Sequence, residues 1–281
     1  MNSEIPLFKE YRLDKVRNSL SCIDSHPFNR EAQKSCVLSL YLDDEGKTYK
    51  HADKSIFRGM VIPSLRHLGL IVGDDDAIRL SANGKLFIES SSISPDLGER
   101  LARAILYELD QTFFLVCPHL STSPCMSFDT LLKLLAPVPT NPFRERLRKW
   151  LSMLKQVGLI KMADESYSLD HENMVQTMAD IDPTRKGLEN FTEEFLTAYN
   201  SVRDSAGIAD IMDLRERVGI TWLRNRAGVL TELQFDALLR LVPLDTNHYQ
   251  ISFGKPMQAN EKLFKLGETY YKTVIIRYKG R

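Results

Sequence analysis

The residues in this sequence most able to do chemistry are basic. Arg144, Arg146, Arg148, Lys149, Lys155 and Lys161 fall within one short stretch. Guanidinium and ammonium groups spaced like this can make charge-assisted contacts with phosphate oxygens, the contacts that carry much of a protein's affinity for a nucleic-acid backbone. The same pattern also suits the solvated face of an amphipathic helix. A secondary basic surface is expected from Arg224 and Arg226, which lie near Trp222, and from Lys272, Arg277 and Lys279, which are interleaved with Tyr270, Tyr271 and Tyr278. Such a mixture can hold a nucleic-acid strand, although an edge strand blunted by lysine and arginine is the more ordinary reading.

Motifs for catalysis are missing. The sequence has no GxxxxGK[ST] or GxGxxG phosphate loop, no HExxH, no CxxC and no GxSxG elbow. Cys117, His119 and Cys125 supply three soft ligands, but their spacing fits no common zinc frame and a fourth ligand is lacking. Asp74-Asp75-Asp76 and Asp43-Asp44-Glu45 carry carboxylates in apparent turns, where acidic residues serve solubility. The expectation is a protein without enzymatic activity, cofactor, metal or small-molecule substrate.

The elements that must position the basic residues follow from periodicity and turn chemistry. A helix is expected within 1–28 and another over Asn29–Leu42, with Asp53 ahead of a further apolar stripe. Pro63 suits the start of a new helix there, and Gly69 its end. Short β runs at 70–72 and 78–80 flank a hairpin tip, and Ser81 is a candidate cap for the next helix. Ser90 to Pro95 is polar and rich in helix breakers, which makes it the best linker in the chain. Beyond it a helix runs from Leu97 to about Phe113 and ends before Cys117-Pro118. Ser127 is another cap, and Phe143–Val157 a strong helix with Leu147, Trp150, Leu151 and Leu154 inward. Gly158 ends that helix and a GLIK…YSLD hairpin follows. After a boundary at Asp182-Pro183, helices are expected over 188–202, 208–218 and 231–242. Thr231 and Gln234 form a capping-box pattern at the start of the last. From Leu263 the tail reads as helix turning into a β run at 273–278.

One frame recurs in this order: a helix, Gly-Leu-Ile or a close equivalent, then a hairpin. LRHLGLI with IRLSANGK and LSMLKQVGLIK with YSLD show it, and DIMDLRERVG, LTELQFDALLRLV and YQISF form a fainter third version, in which an Asp-Leu-Arg helix precedes a Glu-x-x-Phe-Asp helix. These segments resemble the winged-helix branch of the helix-turn-helix families. The resemblance implies a mainly α fold with small β-hairpins (α+β), arranged as three consecutive winged-helix-like units over 1–92, 93–182 and 183–281. It further implies that the third helix of a DNA-binding unit enters the major groove and that the wing touches phosphate. On charge, the second unit is the candidate reader. The first offers Arg66 and His67 beside an acidic wing tip, and the third offers only Arg240 beside Glu232 and Asp236.

Composition narrows the classes. The chain has 281 residues, with 37 basic and 37 acidic side chains and no formal net charge, which argues against a polycationic binder. No apolar run approaches the roughly 18 residues of a membrane span. Four widely spaced cysteines and the lack of a signal pattern suggest reduced thiols and a cytoplasmic location. The resulting expectation is a non-catalytic accessory subunit bridging other protein subunits and double-stranded DNA. Tandem winged-helix chains of similar look accompany SMC-type ATPases and nucleases, including prokaryotic anti-phage and anti-plasmid systems. The alternatives are a sequence-specific transcriptional regulator or replication initiator, and the DNA-recognition part of a restriction system.

Overall fold

The computed structural model describes residues 9–41, 51–109, 113–122, 125–136, 138–226, 228–256 and 262–279. It is mainly helical with small antiparallel sheets, an α+β arrangement. Asp43-Asp44-Glu45 lies outside the described residues.

α1 (Leu13–Ser25) and α2 (Arg30–Ser39) open the fold, and Asn29 caps α2 by accepting the Ala32 N–H. The first helix therefore starts later than its sequence suggests, because residues 9–12 are held extended. There the buried Glu10 carboxylate accepts from the Arg12 backbone and guanidinium, while the Glu10 N–H donates to Ser64. Cys22 and Cys36 form a disulfide between α1 and α2, which corrects the expectation of four reduced thiols. The two positions are distant in sequence, but the helix pairing brings them together.

A π-helical segment, Asp53–Val61, runs directly into α3 (Ile62–His67), with Pro63 in its first turn as anticipated. β1 (Ile71–Val72) and β2 (Arg79–Leu80) pair antiparallel, and Ser81 caps α4 (Ala82–Ile93) by accepting the Gly84 N–H. The expected linker does not form. Ser90–Ile93 is the last turn of α4, and Ser94 alone separates it from α5 (Pro95–Leu109). The serine hydroxyls are satisfied within the helix, bonding back to the carbonyls of Phe87 and Ile88. A Cβ on Gly98 would lie 2.6 Å from the Ser91 hydroxyl, so the two helices approach as closely as they do only through glycine.

α6 (Phe113–Thr122) runs through Cys117-Pro118 instead of ending before them; Pro118 sits inside it and forgoes one ladder bond. β3 (Met126–Ser127) follows, and Ser127 caps α7 (Phe128–Leu135). Thr140 caps α8 (Asn141–Gln156), and Gly158, at φ 71°, ends it. β4 (Ile160–Ala163) and β5 (Ser166–Leu169) form a hairpin, and β3 joins it to give the order β3-β5-β4. α9 (His171–Ile181), capped by Asp170, and a 3-10 turn at Pro183–Lys186 lead to α10 (Leu188–Val202).

The expected helix from Ile208 begins instead with a strand, β6 (Ile208–Asp210), before α11 (Ile211–Arg226). α12 (Glu232–Leu239) carries the anticipated capping box between Thr231 and Gln234. β7 (Tyr249–Gly254) precedes a second correction: the tail from Leu263 is not helix but a hairpin of β8 (Phe264–Leu266) and β9 (Thr269–Tyr271). Gly267 at φ 59° makes the turn that periodicity could not reveal. β10 (Thr273–Tyr278), the anticipated β run, pairs with both β6 and β7, giving the order β6-β10-β7.

One buried apolar cluster runs from Val16 through Phe57, Leu101 and Trp150 to Leu169 and takes in Leu223 and Val229 beyond it, so the first two expected units share a core that also reaches into the third. A second cluster spans Phe191 to Ile276. The two are joined by a buried polar junction. The N-termini of α4 and α12 face each other: the Asn83 N–H donates to Glu232 Oε1 at 2.9 Å, and the Glu232 N–H donates to Asn83 Oδ1 at 3.0 Å. Lys262 Nζ donates to Glu232 and to the Gly69 carbonyl, each at 2.6 Å. Arg215 makes a two-pronged pair with Asp236 at 2.9 and 2.7 Å. Thr231 donates to Glu108, and Gln234 to the Asp180 carbonyl.

Burial pushes the Glu108 carboxyl up to about 8, and the Glu232 carboxylate adds to that shift against the opposing Thr231 hydroxyl. A folded-state value above the unfolded 4.5 means the native state holds a proton that the unfolded chain has lost, so stability falls as pH rises from 4.5 to about 8. Glu108→Gln is expected to remove this decline, with its advantage over the parent growing across that window in denaturant titrations. Asn83→Ala, which strips one cap and orphans a buried N–H, is expected to cost about 1–3 kcal/mol in the same assay.

Candidate nucleic-acid interface

α8 is amphipathic because Leu147, Trp150, Leu151 and Leu154 recur at helical spacing and are buried. Its C-terminal end is fixed by the buried Arg103, whose Nη1 donates to the Val157 carbonyl at 2.7 Å, a cation against the negative end of the helix dipole. Asn173 donates to the next carbonyl, that of Gly158. These anchors leave the opposite face, with Glu145, Arg148 and Lys155, exposed to solvent, and Arg144, Arg146 and Lys149 partly so.

The six expected phosphate-gripping residues do not behave alike. Arg144 pairs with Asp129 at 3.3 Å, and Lys161 with Asp170 at 2.8 Å, which raises the Lys161 pKa. The Arg148 guanidinium lies 5.0 Å over the Phe128 ring, and Lys149 lies 6.0 Å over Tyr11. Stacking of this kind orients a cation without neutralising it. Arg146 has its Nε buried with no hydrogen-bond partner. Lys155 is exposed, and among the described residues no carboxylate pairs with Arg146, Arg148, Lys149 or Lys155.

The secondary basic surface is mostly satisfied within the chain. Arg224 donates to Glu89 at 3.0 Å, and Arg226 sits 3.9 Å from Glu194 and 5.2 Å over Trp222. Lys272 is 3.9 Å from Asp210, and Lys279 pairs with Asp245. Arg277 alone of this set is exposed on β10 with no ion pair among the described residues.

The structure brings further cations to α8. A cleft of about 790 Å³ opens beside it, lined by Lys9, His51, Lys54, Met60, Glu145 and Lys149. Lys9 and Lys54, like Lys149, have no carboxylate partner among the described residues. Sequence reasoning missed Lys9, His51 and Lys54, since nothing local marks them and only the packing of residues 9–13 and the π-helix near α8 assembles them. The Gln156 side chain holds that packing, donating to the Tyr11 carbonyl and accepting from the Leu13 N–H.

The other two helices that the sequence singled out, α3 and α12, offer no comparable set of unpaired cations among the described residues. α12 buries Glu232, Gln234 and Asp236 in the polar junction and Phe235 in the second apolar cluster, and at the end of α3 Arg66 pairs with Asp75 at 2.8 Å. Asp164 and Glu165, both at positive φ, form the tip of the β4–β5 hairpin, an acidic turn poorly suited to phosphate. Cys117 is buried and Cys125 exposed, and no three His, Cys, Asp or Glu side chains converge for a metal among the described residues. No helix there is long and apolar enough to cross a membrane.

Comparison with protein-family models, with curated proteins and with solved structures gives no match. The site therefore stands on its own geometry. An amine-reactive label applied at low stoichiometry is expected to modify Lys9, Lys54, Lys149 and Lys155 before the ion-paired Lys85, Lys161 and Lys262. Peptide mass spectrometry reads that order directly.

Proposed function

We propose that this chain is a non-catalytic accessory subunit built from winged-helix-like units, which contacts double-stranded DNA through α8 and joins other protein subunits through the rest of its surface. The observation that carries this reading is the charge on α8. Arg146, Arg148, Lys149 and Lys155 lack carboxylate partners on a helix whose counterparts, α3 and α12, are paired or buried.

Topology supports it. The succession α6-β3-α7-α8-β4-β5, with β5 between β3 and β4, recurs as α10-β6-α11-α12-β7-β10, with the β8–β9 hairpin inserted before β10 and β10 between β6 and β7. This order resembles the helix-strand-helix-helix-hairpin plan of winged-helix domains, in which the third helix enters the major groove, and it supports the reading on that likeness. A zero net charge fits a protein that binds DNA locally and modestly, leaving specificity to an assembly. Exposed apolar residues one turn apart on α9, Val175 and Met178, and the exposed Leu241 and Leu244 after α12, suit contacts with protein subunits. An SMC-type ATPase or a nuclease remains the class of partner this architecture suggests, by analogy of fold.

The test is duplex binding by fluorescence anisotropy across a salt series. Affinity should fall steeply with salt and vary little with base sequence. Replacing Arg148 and Lys155 by alanine should weaken binding and reduce the salt slope by about one for each phosphate contact removed. Lys161→Ala and Lys279→Ala, which remove internally paired charges, should leave it nearly unchanged. A thousandfold preference for one short duplex would favour a sequence-specific regulator instead, on the order of what specific binders reach. No binding even at low salt would overturn the reading.

A further inference from the structure

We propose that the cleft between the π-helix Asp53–Val61 and α8 is a pocket for a terminal phosphate group, with Lys9, Lys54 and Lys149 as its ligands. The proposal rests on the duplex-binding reading for its favoured source, the 5′ end of a DNA strand. The pocket chemistry itself would serve equally for the phosphate end of a free nucleotide.

Three observations converge on it. Lys9 comes from the extended segment before α1, Lys54 from the π-helix and Lys149 from α8, so three unrelated elements each contribute a lysine to the lining of one concavity. None has a carboxylate partner among the described residues, whereas most other lysines of the fold do. Like charges gathered in this way repel one another, a cost that a bound anion relieves.

The concavity is broad and open to solvent, which suits a charged group at a strand end. Its volume of about 790 Å³ is in the range of small-ligand sites, and Met60 gives it an apolar wall. A phosphate inside a duplex carries one charge and lies on a ridge between sugars. A terminal phosphate projects outward and carries close to two. With Glu145 also lining the cleft, the three lysines leave a formal excess of two positive charges, which matches a phosphomonoester.

The third observation is the wall itself. Lys54, Ser55, Gly59 and Met60 all lie in the π-helical stretch, where the Ile62 N–H reaches back five residues to the Phe57 carbonyl. A Cβ at Gly59 would stand 2.5 Å from the Lys54 carbonyl oxygen, so glycine is required for this wide turn. Helix of this kind is uncommon, costs hydrogen-bond geometry, and occurs often at functional sites.

The experiment compares the full chain on two blunt duplexes of one sequence, one with 5′-phosphate and one with 5′-hydroxyl ends, and titrates inorganic tripolyphosphate by calorimetry. The phosphorylated duplex should bind about tenfold tighter, the scale of one charge-assisted contact. Lys54→Ala and Lys9→Ala should erase that difference, while Arg148→Ala weakens both duplexes alike. Glu145→Gln should widen the preference. Tripolyphosphate binding that Lys54→Ala abolishes, without an end preference, would support the pocket with a free nucleotide as its source. The same result in a protein that binds no duplex would sink the DNA reading and keep the pocket. Equal affinity for both duplexes together with no Lys54-dependent tripolyphosphate binding would overturn the proposal.

Discussion

Two helix N-termini buried against each other would leave their terminal N–H groups without partners. α4 and α12 meet that demand by capping one another: Asn83 serves the helix of Glu232, and Glu232 that of Asn83. The rest of the architecture is arranged around this exchange. Two positive dipole ends and three carboxylates, of Glu108, Glu232 and Asp236, sit with the cations of Arg215 and Lys262, and a protonated Glu108 lets the formal charges balance. α11 is drawn onto α4 so closely that a Cβ at Gly219 would lie 2.7 Å from the Leu86 side chain. Gln234 and Lys186 extend the bonding to the Asp180 and Val229 carbonyls. α12 is thereby committed to the interior of the fold.

The sequence was most legible where a single residue decides the local outcome. The caps at Ser81, Ser127 and Thr231, the helix ends at Gly69 and Gly158, the start at Pro63 and the β run at 273–278 all stand where side-chain chemistry places them. It misled where composition stood in for context. Ser90–Ile93 has the make-up of a linker, yet its hydroxyls satisfy themselves on helix carbonyls. Ile208–Asp210 is apolar enough for a helix, but β10 recruits it into a sheet. The basic stretch at 144–161 was visible by residue type. Its division into paired and unpaired charges was not, because Asp129 and Asp170, which neutralise Arg144 and Lys161, are identified only by the packing of α7 and the turn after β5.

Charge illustrates the point at larger scale. A net charge of zero describes the chain and not its surface. Most arginines and lysines outside α8 and the cleft are paired within the fold, including Arg30, Arg100, Arg224 and Lys279. Exposed pairs of this kind add little to stability, on the order of 1 kcal/mol or less each. Their effect is subtractive: they quieten the remaining surface, so that a modest number of unpaired cations dominates the local field.

The single-residue joint at Ser94 has a bearing on how this protein could have diversified. Recombination favours exposed joints of low contact density, and on paper the serine-rich stretch before Pro95 is the natural crossover point. In the folded chain it is a seam between two helices that share one interior, with Ser90 fully buried and Gly98 pressed against Ser91. A cut there would open the shared interior on both sides of Ser94, so the two helices behave as one body.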